Sequence, residues 1–102
     1  MRTAAKGDWM LEVVDNPERS QYEILLDGDM VGFAAYNHTD RGVLLPHAEV
    51  RPEFYGQGIG SALAKGALDD IRRQGLQAVP LCPFIVDYVA RHPEYRDLVT
   101  SL

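Results

Sequence analysis

Val50-Arg51-Pro52-Glu53-Phe54-Tyr55-Gly56-Gln57-Gly58-Ile59-Gly60-Ser61-Ala62-Leu63 puts the end of an apolar strand, a glycine-rich loop and the start of a helix in immediate succession. Glycines at alternating positions, Gly56, Gly58 and Gly60, let the backbone approach a ligand closely. The unpaired N–H groups of the helix's first turn then point at that ligand with the positive end of the macrodipole. This arrangement is a cradle for a pyrophosphate. The same spacing also serves a tight strand-to-helix turn that holds no ligand, so the flanking sequence has to decide between them.

Downstream of the loop the apolar period becomes helical. Gly60, Leu63, Ala64, Ala67, Leu68 and Ile71 form one stripe, while Ser61, Lys65, Asp69, Arg72 and Arg73 face away. Lys65 with Asp69, and Asp69 with Arg73, are i,i+4 pairs, and Gly75 caps the helix before Leu76. Gln77 to Leu81 reads as a short strand reached by a helical crossover, and a second helix runs from Pro83, a favoured first-turn residue, to Arg91, with His92 constrained by Pro93. Upstream, Trp9 to Val14 and Tyr22 to Leu26 read as strands separated by Asp15-Asn16-Pro17. Asp27-Gly28 turns the chain into Met30 to Tyr36, and Asp40-Arg41-Gly42 turns it into Val43 to Val50. Pro46 cannot donate to a ladder, which predicts a bulge or a local interruption in the fourth strand. The fold class is therefore α/β: an antiparallel four-strand meander, a crossover helix, a fifth strand parallel to the fourth, and a C-terminal helix. Parallel pairing of strands four and five sets the glycine loop at the carboxyl ends of the strands, where open α/β sheets bind ligands.

With 102 residues, 46% of them hydrophobic and 25% charged, the chain reads as one compact domain spanning 1–102, with disorder expected over residues 1–8. Its apolar runs fall far short of the ~20 residues that cross a bilayer, and the N-terminus lacks a signal-peptide pattern. A cytoplasmic protein is the expectation. A formal net charge of −5 argues against nucleic-acid and anionic-membrane partners, which require surplus Lys and Arg. The single cysteine, Cys82, suits a reducing compartment, and it shows no metal-ligand spacing with the three histidines, so no metal is expected.

Three motifs then carry a resemblance. The glycine loop follows a valine-bearing strand, preceded by His47-Ala48-Glu49-Val50. After it come Pro80-Leu81-Cys82-Pro83-Phe84-Ile85-Val86-Asp87-Tyr88 and Arg91-His92-Pro93-Glu94-Tyr95-Arg96-Asp97-Leu98-Val99. Together they resemble the short YJDJ-type members of the GCN5-related N-acetyltransferase superfamily over roughly residues 10 to 100. Tyr55 departs from the pattern, standing where the superfamily carries Arg or Gln, a change that leaves binding by backbone amides untouched.

The resemblance implies acetyl-CoA as cosubstrate and transfer of its acetyl group to an unidentified amine acceptor, a small molecule or a protein. The alternative is an acyl-CoA-binding or sensing module with no chemistry of its own. On the resemblance, the amides near Gln57, Gly58, Ile59, Gly60 and Ser61 cradle the pyrophosphate and Val50 closes the strand beside it. Lys65 and Arg91 lead Arg72 and Arg73 as candidates for the 3′-phosphate, although a solvated helix face accounts for each. Tyr88 is a candidate for cofactor contact or for protonating the leaving thiolate, with core packing as the plain alternative. His47 is the candidate general base, its ordinary pKa being near neutral, and Glu49, of the same strand parity, orients it or takes the proton through water. Cys82, between strand and helix, is either a nucleophile in a two-step exchange or a buried small residue lining the acetyl pocket. The N-terminal helical segment that usually helps form the superfamily's acceptor site is missing from this reading, so a partner or a homodimer would supply that wall.

Overall fold

The computed structural model describes residues 10–100; Trp9 and the expected disorder over 1–8 lie outside them. The strands are β1 (Leu11–Asn16), β2 (Gln21–Leu26), β3 (Asp29–Thr39), β4 (Gly42–Val50) and β5 (Ala78–Pro80), and the helices are α1 (Ile59–Arg73) and α2 (Pro83–Arg91). They form one five-stranded sheet in the order β1-β2-β3-β4-β5, antiparallel throughout except for the parallel β4–β5 pair. This is the predicted meander and crossover. Several boundaries differ from the sequence reading, among them three strand ends. β1 runs through Asp15 and Asn16 before the turn at 17–20, β3 continues past Tyr36 to Thr39, and the ladder of β5 stops at Pro80.

The bulge falls at Pro46. Leu44 lies opposite Asn37 and His47 opposite Ala35, so Leu45 and Pro46 together face Tyr36, and β4 bends there. The α1 stripe of Ile59, Leu63, Ala64, Ala67, Leu68 and Ile71 is buried against Tyr22, Ile24, Ala34, Val43 and Leu45, and Ile85, Tyr88 and Val89 of α2 join the same cluster. Full burial of each large aliphatic side chain contributes ~1.5–3 kcal/mol, so this one cluster holds both helices to one face of the sheet. By strand alternation the other face presents Val14, Glu23, Phe33, Ala35, His47 and Glu49, with no helix over it among the described residues.

Gly66 brings α1 close to β1, since a Cβ there would stand 2.6 Å from Cβ of Val13. Three buried tyrosines end on carboxylates: Tyr22 donates to Asp70 at 2.7 Å, Tyr36 to Asp15 at 2.7 Å and Tyr95 to Asp69 at 2.6 Å. Tyr95 and Leu98 are buried and pin the C-terminal segment, whose Val99 bridges to Ala78 in parallel beside β5.

Candidate functional site

β4 and β5 part company at Leu45. Its carbonyl accepts hydrogen bonds from the amides of both Leu81 and Cys82 at 3.1 Å, after which α2 begins, while β4 continues through Val50. A strand that has lost its neighbour on one side leaves backbone groups open to a ligand. β4 leads into a 3₁₀ turn at Pro52–Phe54, then Gly56 and Gly58 with φ of 77° and 83°. Those left-handed conformations are cheap only for glycine. Gly58 is the N-cap of α1, its carbonyl accepting from the amide of Ala62 at 3.1 Å. The amides of Gln57, Gly58, Ile59, Gly60 and Ser61 have no acceptor among the described residues, so the predicted cradle residues converge as a row of open donors.

The loop borders a cleft of about 430 Å³ lined by Ala48, Val50, Tyr55, Ser61, Phe84 and their neighbours. Helical period places Phe84 on one face of α2 with Ile85 and Tyr88, and its ring reaches from α2 to the first turn of α1 and forms a wall. The signal was Gly60, because a Cβ at that position would stand 2.8 Å from Cζ of Phe84. Glu49 is the charged residue in the lining, and no Lys or Arg stands among the described residues that line it.

His47 and Glu49 come together, with Nε2 of the imidazole 2.9 Å from Oε2 of the carboxylate, side chains 57% and 61% exposed. Their strand parity points them to the uncovered sheet face, where His47 also meets the Phe33 ring edge-on at 5.9 Å. Glu49 joins the two regions, being both the partner of His47 and part of the cleft lining. Cys82 is the N-cap residue of α2 and only 6% exposed, packed in the core at the point where β4 and β5 diverge. Tyr88 is buried and stacked on His92 with ring centroids 3.9 Å apart, while Nδ1 of His92 lies 2.7 Å from the Tyr88 carbonyl oxygen. Its phenol is pushed up by burial and, unlike Tyr22, Tyr36 and Tyr95, its hydroxyl meets no carboxylate among the described residues.

The candidate cations do not converge on the cleft. Lys65 pairs with Asp69 at 2.8 Å, Arg72 with Asp97 at 3.0 Å and Arg91 with Asp87 at 2.8 Å. Arg73 pairs with Asp70, its neighbour at i−3, rather than with Asp69, which accepts from Lys65 and Tyr95. Burial works to raise the Asp69 pKa, but the hydrogen bonds from Lys65 and Tyr95 outweigh it and hold the carboxyl below its usual range. No group of three or more His, Cys, Asp or Glu among the described residues is arranged to hold a metal.

A family model described as GCN5-related N-acetyl-transferase matches residues 21–98, from β2 to the buried Leu98. The chain belongs to this family. Among curated relatives of this N-acetyltransferase family member, Protein NATD1 of Gallus gallus is 31% identical over 85 residues, covering 81% of the chain and 77% of the relative. Protein NATD1 of Xenopus tropicalis is 32% identical over 85 residues, 81% of the chain and 78% of the relative. Nourseothricin acetyltransferase, a solved structure, aligns at 21% identity with a TM-score of 0.45, over 68% of this chain and 55% of the other.

Proposed function

We propose that the protein binds acetyl-CoA in the cleft between β4 and α1 and transfers its acetyl group to an amine. The observation that carries this reading is the row of open amides from Gln57 to Ser61 beside a strand that has shed its neighbour. These donors fit a diphosphate, and the unpaired edge of β4 beyond Leu45 fits an extended amide-bearing arm. Bound acetyl-CoA supplies an acetyl group activated as a thioester. Val50 and Phe84 shape the walls, and the loop amides fix the diphosphate so that the acetyl group is held in one orientation. His47, with Glu49 orienting its ring, takes the proton from the incoming ammonium, directly or through water. Tyr88, the buried phenol not engaged by a carboxylate, gives its proton to the sulfur as the thiol leaves. Cys82 packs in the core and needs no covalent role in this scheme.

A calorimetric titration with acetyl-CoA, paired with a CoA-release assay across lysine, N-terminal-amine and polyamine acceptors, tests the reading. One-to-one binding that weakens in Gly58→Val, with thiol release dependent on an amine, is the expected result. Binding with no release for any acceptor would favour the sensing module, and no binding would remove the cofactor site.

A further inference from the structure

The described residues that line the cleft combine an anion cradle with no Lys or Arg, and the geometry of the helices accounts for it. α1 and α2 both begin at the cleft and run away from it. At 1.5 Å per residue, Arg72 stands ~20 Å along the axis from Ile59 and Arg91 ~12 Å from Pro83. Arg19 and Arg41 occupy the β1–β2 and β3–β4 turns, at the end of the sheet where β4 starts, whereas the cleft is where β4 ends. Arg96 follows the C-terminal 3₁₀ turn. Lys65, ~9 Å along α1, is drawn toward Asp69, one turn further from the cleft. Arg51 borders the loop but is held by Glu53 at 2.5 Å and lies over the Phe54 ring at 5.8 Å. What the rim offers instead is an aromatic surface: Tyr55, 66% exposed, beside Phe54 and Phe84.

We infer that this cleft holds the nucleotide end of a CoA thioester on the ring of Tyr55 and does not read the 3′-phosphate, so that 3′-dephospho-CoA thioesters and CoA thioesters are equally good ligands. The inference rests on the reading of the cleft as an acetyl-CoA site. A phosphomonoester carries about −1.5 to −2 charges at neutral pH. With no Lys or Arg among the described residues that line the cleft, and a formal net charge of −5 on the chain, that group is at best neutral to binding. Its removal leaves affinity unchanged or slightly higher, and any difference fades as salt shortens the Debye length to ~3 Å at 1 M.

The test is calorimetry on the full chain with acetyl-CoA and with acetyl-3′-dephospho-CoA, at low and high salt, on the native protein and on Tyr55→Ala, Tyr55→Phe and Lys65→Gln. The expected Kd values of the two ligands agree within about threefold or favour the dephospho form, and converge as salt rises. Tyr55→Ala weakens both ligands by about fivefold and Tyr55→Phe weakens neither, because the ring supplies the contact. Acetyl-CoA binding more than about threefold tighter than its dephospho analogue overturns the inference, since one good phosphate contact is worth more than that. So does a loss of acetyl-CoA affinity in Lys65→Gln that the dephospho ligand does not share, or a Tyr55→Ala variant that binds like the native chain. Binding by neither ligand overturns the acetyl-CoA reading itself, and this inference with it.

Discussion

The ring of Phe84 rests on the first turn of α1 at the one place where that turn has no side chain, so that a Cβ on Gly60 would stand 2.8 Å from Cζ and 3.3 Å from Cε1. Gly60 therefore works twice. Its amide is one of the open donors of the cradle, and its missing side chain admits the wall that faces the cradle from α2. A substitution there acts on the shape of the cleft before it acts on the fold.

For Gly60→Ala the helix gains up to ~1 kcal/mol of propensity, while the clash falls on the free end of a partly exposed ring that can swing aside. Thermal stability should stay close to native, and acetyl-CoA affinity should drop by about tenfold as Phe84 moves, a loss of ~1.4 kcal/mol. Phe84→Leu removes the atoms that collide. A double-mutant cycle on the acetyl-CoA Kd should show coupling of ~1 kcal/mol between the two positions. Strict additivity would mean that the ring and the glycine do not share the wall.

Gly66→Ala meets a different obstacle. The new methyl would collide with the Cβ and Cγ2 of Val13, both at 2.6 Å, and a Cβ cannot move without its backbone. Overpacking of this sort costs ~1–3 kcal/mol, more than the ~1 kcal/mol that alanine returns to the helix. Urea unfolding should show a lower midpoint with an unchanged slope, and a higher midpoint would contradict the close packing of α1 on β1.

Much of this arrangement is legible in the sequence, and the limits have physical causes. The α1 stripe, the Pro46 bulge and the bounds of α2 follow from local rules of period, proline and capping. The end of β3 does not, because Asn37, His38 and Thr39 carry no apolar signal and are strand only through pairing with Val43 and its neighbours. The i,i+4 pair Lys65–Asp69 forms as read, whereas Arg73 turns to Asp70, its neighbour at i−3, and Asp69 accepts instead from Tyr95, far along the chain. The role of Phe84 was hidden for a similar reason: helical period assigns it a face of α2, and only the tertiary contact with Gly60 assigns it to the cleft.

Alkaline pH should destabilise the fold through the buried tyrosines Tyr22, Tyr36, Tyr88 and Tyr95, each held above the usual phenol range chiefly by burial. Burial, aided by the Asp15 carboxylate, pushes Tyr22 and Tyr36 each up to about 12 from the usual 10. A raised folded-state pKa means that the stability contribution is complete below the unfolded value and is lost as pH climbs through the folded one. Unfolding free energy should thus be flat up to pH ~10 and fall above it by up to ~1.4 kcal/mol per pH unit for each phenol. Urea unfolding across that range measures it, with Tyr36→Phe expected to shallow the slope; an unchanged slope would show that Tyr36 titrates alike in both states.

Tyr88→Phe separates packing from chemistry. The ring and its stack on His92 survive the change, and no carboxylate among the described residues loses a partner. If the hydroxyl protonates the leaving sulfur, kcat should fall by about 100-fold with little change in the KM for acetyl-CoA, the scale of one general acid. Native kcat in the variant would reduce Tyr88 to a core residue.

His47 and Cys82 mark the two competing mechanisms, and their surroundings predict opposite responses to alanine. His47 is exposed, bonded to Glu49 and close to the cleft through it, so His47→Ala removes a base and little packing. The turnover should drop by about 100-fold or more, with near-native thermal stability. Cys82 is 6% exposed in the core, so Cys82→Ala removes a sulfur from packed surroundings and costs ~1 kcal/mol of stability, while most of the turnover remains. Rate measurements on both variants, with stability monitored in parallel, read the two effects separately. An acetylated protein trapped on Cys82 by rapid quench, together with loss of turnover in a folded Cys82→Ala, would replace direct transfer with the two-step exchange, in which the thiolate carries the acetyl group before the amine receives it.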